Sequence, residues 1–127
     1  MKTVAFSTLG CKLSFAETST FEREFLQAGF TVVPSTGQAD IYVVNTCSVT
    51  AMADKKGRNF IGRLHRLSPE ARIVVTGCQA QLKAGQLADM EGVWAVVGSE
   101  YKGELLKIAT ALQLDRKGFV EPIAQSL

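Results

Sequence analysis

Cysteine and histidine are scarce in this chain, which has three cysteines and a single histidine, His65, in 127 residues. An odd number of widely spaced cysteines cannot form a complete disulfide framework, so a small bridge-stapled secreted scaffold is excluded and reduced thiols fit better. No C-x-x-C pair occurs, and that spacing is usual in structural zinc sites. No apolar run approaches the roughly 20 residues of a membrane-spanning helix. Lys2, Lys12 and Glu17 occupy the stretch where a signal peptide would need its apolar core. Internal repeats and low-complexity tracts are lacking too. The expectation is a cytoplasmic protein without membrane contact. A formal net charge of +2 argues for no particular partner by itself.

With 46% hydrophobic and 20% charged residues the composition is that of a soluble globular protein, and the length suits one domain with a real core. Apolar runs alternate with helix-period segments, the α/β signature. Strands are expected over Thr3–Leu9, Phe30–Val33, Asp40–Thr46, Arg72–Gly77 and Val93–Gly98. Several of these runs are continuously apolar, which suits parallel strands covered on both faces. Helices are expected over Phe15–Ala28, Met52–Leu67, Leu82–Met90 and Lys102–Leu114. Ser14 and Glu17 form a capping-box pattern before the first helix, and Gly29 stands where a left-handed stop belongs. Short connections and right-handed crossovers then give a five-stranded parallel sheet in the flavodoxin-like order 2-1-3-4-5, with helices on both faces. Residues 1–116 are expected to form this domain and 117–127, which hold Pro122 and no clear pattern, a linker.

The three most apolar strands each run into a cysteine: Cys11, Cys47 and Cys78. Ligand sites of open parallel sheets lie beyond the carboxyl ends of the strands. In the expected order these strands are neighbours, about 4.8 Å apart, so three thiols would meet within about 10 Å. A single cysteine after a strand is ordinarily a small buried hydrophobe. Three of three at equivalent positions indicate a site. Gly10, Asn45, Thr46 and Gly77 beside them permit close backbone approach or supply hydrogen bonds. Thiolate-only ligation is acceptable to an iron–sulfur cluster, and three ligands to a four-iron cluster would leave one iron open.

The phrases Thr8-Leu9-Gly10-Cys11-Lys12-Leu13-Ser14, Val44-Asn45-Thr46-Cys47-Ser48-Val49-Thr50 and Val75-Thr76-Gly77-Cys78-Gln79-Ala80-Gln81 together resemble the amino-terminal domain of the radical-SAM methylthiotransferase family. The likeness covers about residues 3–114. It implies that Cys11, Cys47 and Cys78 hold an auxiliary 4Fe–4S cluster whose open iron handles the sulfur to be inserted. The family usually has Asn where this chain has Ser14, and both are good helix N-caps. Cys11-Lys12, Glu17-Thr18 and Asp54-Lys55-Lys56 are most similar to the branch that methylthiolates N6-threonylcarbamoyladenosine in tRNA. The branches acting on isopentenyladenosine and on a ribosomal protein are less similar there. No cysteine follows Cys78, so the family's Cys-x-x-x-Cys-x-x-Cys motif, which carries a second 4Fe–4S cluster and S-adenosylmethionine, lies outside this sequence, as does an RNA-binding domain. The resemblance thus implies a fragment, inactive alone, that meets tRNA as part of a longer enzyme.

Between Lys55 and Arg66 there are five basic residues, Lys55, Lys56, Arg58, Arg63 and Arg66, and no acid. Phe60, Ile61, Leu64 and Leu67 form the opposite, apolar face of the helix. Such a stripe is ordinarily a solvated outer surface, and it can also touch phosphate, with Lys56, Arg63 and Arg66 as candidates. His65 falls between the faces and is assigned no chemistry. Phe15, Phe21, Phe25, Phe30 and Trp94 are expected to pack in the core or at an interface. Two other functions stay open. A phosphocysteine carrier of the sugar-phosphotransferase type would use Cys11 and leave Cys47 and Cys78 unexplained. An RNA-binding module would use the basic helix and hold no cluster. A low-molecular-weight phosphatase is disfavoured by Glu17, whose carboxylate would repel phosphate where that loop needs Arg.

Overall fold

The computed structural model describes residues 3–9, 12–46, 51–77, 90, 92–97, 105–110 and 118–119. Strand and helix alternate as β1 Thr3–Leu9, α1 Lys12–Gln27, β2 Thr31–Val32, β3 Ile41–Thr46, α2 Ala51–Leu67, β4 Arg72–Gly77, β5 Val93–Val97, α3 Leu105–Thr110 and β6 Gly118–Phe119. Every strand pair is parallel, in the order β2-β1-β3-β4-β5-β6. The expected 2-1-3-4-5 sheet is present. It is extended by β6, which lies in the stretch expected to be a linker and pairs with Val96 and Val97.

The sheet is buried on both faces, as its continuous apolar runs require. Ile61 and Leu64 of α2 pack on one face against Ala5, Tyr42, Val44, Ile73, Val75 and Val96. Phe21 and Phe25 of α1, with Leu105, Ile108 and Ala109 of α3, pack on the other against Val4, Ile41, Val43, Val74, Ala95 and Val97. Full burial of each Val, Ile, Leu or Phe contributes about 1.5–3 kcal/mol. Two carbonyls of α3 meet side chains from the sheet: Trp94 Nε1 donates to Ile108 O and Arg72 to Ala109 O, each at 3.0 Å. The Arg72 guanidinium also lies 3.8 Å over the Trp94 ring. Partial burial lowers its pKa from the ordinary value.

Several element boundaries differ from those expected, and two of the differences have clear physical reasons. Helix α1 begins at Lys12, so Ser14 stands inside its first turn and not at its N-cap. The apolar periodicity that starts at Phe15 does not mark where the helix backbone begins. Strand β2 is shorter than expected because Phe30 is used in the stop of α1. Phe30 N–H donates to Phe25 O at 3.0 Å and Gly29 N–H to Leu26 O at 3.1 Å, with Gly29 at φ +96°. That is a Schellman motif, and its apolar contact is the Phe25–Phe30 ring pair, 5.1 Å between centroids. The helix expected over 82–90 lies outside the described residues apart from Met90, as do the ends of the one expected over 102–114. No helix among the described residues is long and apolar enough to cross a membrane.

Gly29 and Gly92 both have positive φ, yet their surroundings differ. A Cβ at Gly29 meets nothing within 4 Å, whereas one at Gly92 would lie 2.5 Å from Nδ1 of His65. Gly29→Ala should therefore cost only the left-handed backbone penalty, about 1–2 kcal/mol. Gly92→Ala should cost clearly more, because the imidazole must also move. Urea unfolding of the two variants ranks them; equal losses would show that His65 yields freely.

Candidate metal centre

The last residues of three adjacent strands stand in one lateral row. Leu9 is in register with Thr46, and Thr46 with Gly77. Neighbouring parallel strands lie about 4.8 Å apart, so the row is about 10 Å wide. It includes the topological switch point, because β1 and β3 are neighbours whose following helices pack on opposite faces of the sheet. Cys11 falls between Leu9 and Lys12, Cys47 directly follows Thr46, and Cys78 directly follows Gly77. The three cysteines themselves lie outside the described residues. Among the described residues no group of three or more His, Cys, Asp or Glu side chains converges. The donors that the sequence attaches to this row are thiols only. That set is compatible with an iron–sulfur cluster held at three irons.

One residue back from the row the side chains are polar, two of them buried and that of Thr8 partly so. Thr8 is in register with Asn45, and Asn45 with Thr76. By the two-residue alternation of a strand, all three face α1. Asn45 and Thr76 are 1% and 0% exposed, so each polar group needs a partner. Thr76 Oγ1 donates to Val97 O at 2.8 Å. Thr8 Oγ1 and Thr18 Oγ1 share a 2.7 Å hydrogen bond, and Asn45 Nδ2 donates to the same Thr18 oxygen at 3.4 Å. Sequence reasoning marked Asn45 as a hydrogen-bonding neighbour of the site but missed Thr18. The available signal was the stripe Thr18, Phe21, Phe25, in which a hydroxyl occupies a core-facing helical position. On the opposite face Ser7 Oγ is buried and has no hydrogen-bond partner among the described residues.

The basic helix has the faces its periodicity implied. Ile61 and Leu64 are buried, while Lys55, Lys56, Arg58, Arg63 and Arg66 are exposed. Lys56, Arg63 and Arg66 are thus solvent-accessible along α2, which starts four residues after Cys47. His65 is half-buried and packs on Gly92. Phe21 and Phe25 are core residues, Phe30 and Trp94 pack at its margin, and the Phe15 side chain lies outside the described residues. A cavity of about 320 Å³ lies at the other end of the sheet, lined by Thr3, Gln38, Asp40, Ser68 and Glu70 among others. Asp40 there accepts from the backbone N–H and the hydroxyl of Thr3, both at 3.1 Å. This cavity is remote from the row of strand ends.

Residues 3–98 match the model of the uncharacterised protein family UPF0004. The chain is 44% identical over 105 residues to the threonylcarbamoyladenosine tRNA methylthiotransferase MtaB of Aquifex aeolicus, covering 83% of this chain and 26% of that protein. It is 42% identical over 106 residues to the same-named protein of Bacillus subtilis, covering 84% of this chain and 24% of that one. It is 33% identical over 87 residues to the tRNA-2-methylthio-N(6)-dimethylallyladenosine synthase of Wolbachia pipientis, covering 68% and 20%. The chain spans about a quarter or less of the length of these curated relatives.

The polar groups near the strand ends make opposite predictions for two similar deletions. Ser7→Ala removes a buried hydroxyl that has no hydrogen-bond partner among the described residues, so stability should stay level or rise by up to about 1 kcal/mol. Thr76→Val removes a buried 2.8 Å hydrogen bond and should cost about 1 kcal/mol. Thermal unfolding of both variants reads the signs directly.

Proposed function

The chain belongs to the family UPF0004, and from that membership we propose that it is the amino-terminal domain of a tRNA methylthiotransferase, with Cys11, Cys47 and Cys78 as the ligands of an auxiliary 4Fe–4S cluster. The observation that carries this is the lateral register of Leu9, Thr46 and Gly77, each followed within two residues by a cysteine. A four-iron cluster held by three thiolates keeps one iron open to an exogenous sulfur species, and that is the chemistry the group supplies when bound. The chain's own residues hold it and organise its surroundings. Cys11 immediately precedes the first residue of α1. Asn45, Thr8 and Thr18 brace the strand ends from the α1 side.

The substrate that the names of the Aquifex and Bacillus relatives support is the threonylcarbamoyladenosine of a tRNA, converted to its 2-methylthio derivative. A second 4Fe–4S cluster and S-adenosylmethionine would be held by a radical-SAM domain in the longer protein, with an RNA-binding domain beyond it. The fragment by itself would be inactive, and its setting would be the cytoplasm. Lys56, Arg63 and Arg66 would meet the tRNA backbone at its phosphates, adding affinity without sequence specificity.

Anaerobic reconstitution of the chain with iron and sulfide should give a brown protein. Replacing Cys11, Cys47 or Cys78 by Ala should lower its iron content sharply in every case. In the longer enzyme the same replacements should abolish methylthiolation while leaving the fold intact. Any one replacement that leaves both at the unsubstituted level removes that residue from the site. A colourless unsubstituted protein that still binds tRNA would instead support an RNA-binding module.

Changing Lys56, Arg63 and Arg66 together to Gln should leave iron loading untouched. The slope of log K against log salt for tRNA binding should become shallower by roughly 2–3 units, close to one for each phosphate no longer neutralised. An unchanged slope would show that α2 faces water and not RNA.

A further inference from the structure

The core-facing stripe of α1 carries a hydroxyl where an apolar residue would bury more cheaply. Thr18, Phe21 and Phe25 recur at helical spacing and are 8%, 4% and 0% exposed. Burying a hydroxyl costs free energy unless it is bonded, and Thr18 Oγ1 is bonded at 2.7 Å to Thr8 Oγ1 and at 3.4 Å to Asn45 Nδ2. A single oxygen therefore joins three elements: α1, β1 and β3. Those elements flank two of the cysteine-bearing connections. Thr8 precedes Cys11 by three residues, Asn45 precedes Cys47 by two, and Thr18 lies two helical turns after Cys11. On the third strand Thr76 donates to Val97 O of β5.

We propose that Thr18 is a positioning residue of the three-cysteine site, fixing α1 against β1 and β3 and so setting the spacing of the connections that carry Cys11 and Cys47. The proposal rests on the assignment of the three cysteines as cluster ligands. Its physical basis is direction. Apolar contacts along the stripe are non-directional and tolerate a small slide of the helix over the sheet. A hydrogen bond does not, because it weakens steeply when misaligned. Valine at this position would keep the shape and the burial while losing the direction.

The test compares Thr18→Val, Thr18→Ser and Tyr42→Phe in the anaerobically reconstituted chain. Tyr42→Phe is the control for stability alone. It deletes a hydroxyl bonded to Gly37 O at 2.7 Å and to Ser68 Oγ at 3.0 Å, away from the strand-end row. Thr18→Val should lose iron to an external chelator about fivefold faster than the unsubstituted chain, the factor expected for one ordinary hydrogen bond. Thr18→Ser should restore the slow rate, and Tyr42→Phe should never lose it. The electron paramagnetic resonance signal of the reduced cluster should shift in Thr18→Val only, a change that lower stability does not produce. Equal loss rates in Thr18→Val and the unsubstituted chain would overturn the positioning role while leaving the cysteine assignment intact. Faster loss in Tyr42→Phe as well would reduce the effect to stability and overturn it too. If the unsubstituted chain takes up no iron and sulfide, the cysteine assignment falls and the proposal with it. Should Thr18→Val fail to fold, Thr8→Val removes the 2.7 Å bond from the strand side and is held to the same outcomes.

Discussion

Lateral hydrogen bonding between β1, β3 and β4 is the constraint from which the remaining geometry follows. These strands pair in register over six residues each, from Val4 and Ile41 to Leu9 and Thr46, and from Ile41 and Arg72 to Thr46 and Gly77. In a parallel sheet a slip of one residue would turn every side chain to the other face. Here both faces are apolar, so a slip would bury Asn45 and Thr76 beneath α2, away from Thr18 and the face they now share. The polar row thus acts as a register mark in sheet strands that are otherwise rich in interchangeable Val and Ile. The same marks that fix the pairing also fix where the strands end, and so where the cysteines begin.

Most of the fold was legible in the sequence, because the signals that encode it are local. Continuous apolar runs gave the strands, and the bounds of β1 and β4 follow from them directly. Gly29 announced the stop of α1, and its positive φ and Schellman bonds bear that out. The start of α1 was less legible. Helix backbone can begin a turn before the first residue that needs to be apolar, so Phe15 was a late marker and Ser14 a misplaced cap. Strand β6 carried no signal at all, since two residues at an edge need neither alternation nor an apolar run.

The site divides in the same way. Which residues bear thiols is a matter of sequence, and which strands are neighbours follows from the rules of α/β topology. The tie between Thr18, Thr8 and Asn45 was not readable, because it depends on how α1 is rotated and seated on the sheet. Helical periodicity places Thr18 on the inner face of α1. It does not say that a hydroxyl there will meet two polar groups arriving from different strands. The interaction is a property of three elements at once, and no window of sequence contains it.

The strand order also governs when the strand-end row comes into being. Its members are joined by pairings between residues more than thirty apart in the chain, Val4 with Ile41 and Ile41 with Arg72. Loop-closure entropy must be met before such contacts stabilise anything, and parallel pairing of this kind is intrinsically slow. Helix α1 and its Schellman stop can form from local contacts while the chain is still emerging from the ribosome. The row cannot, because β4 supplies its last member and must first dock beside β3. A nascent chain that ends before Gly77 holds two of the three strand ends and has no third to set beside them. Assembly of the row is accordingly an event of the completed sheet.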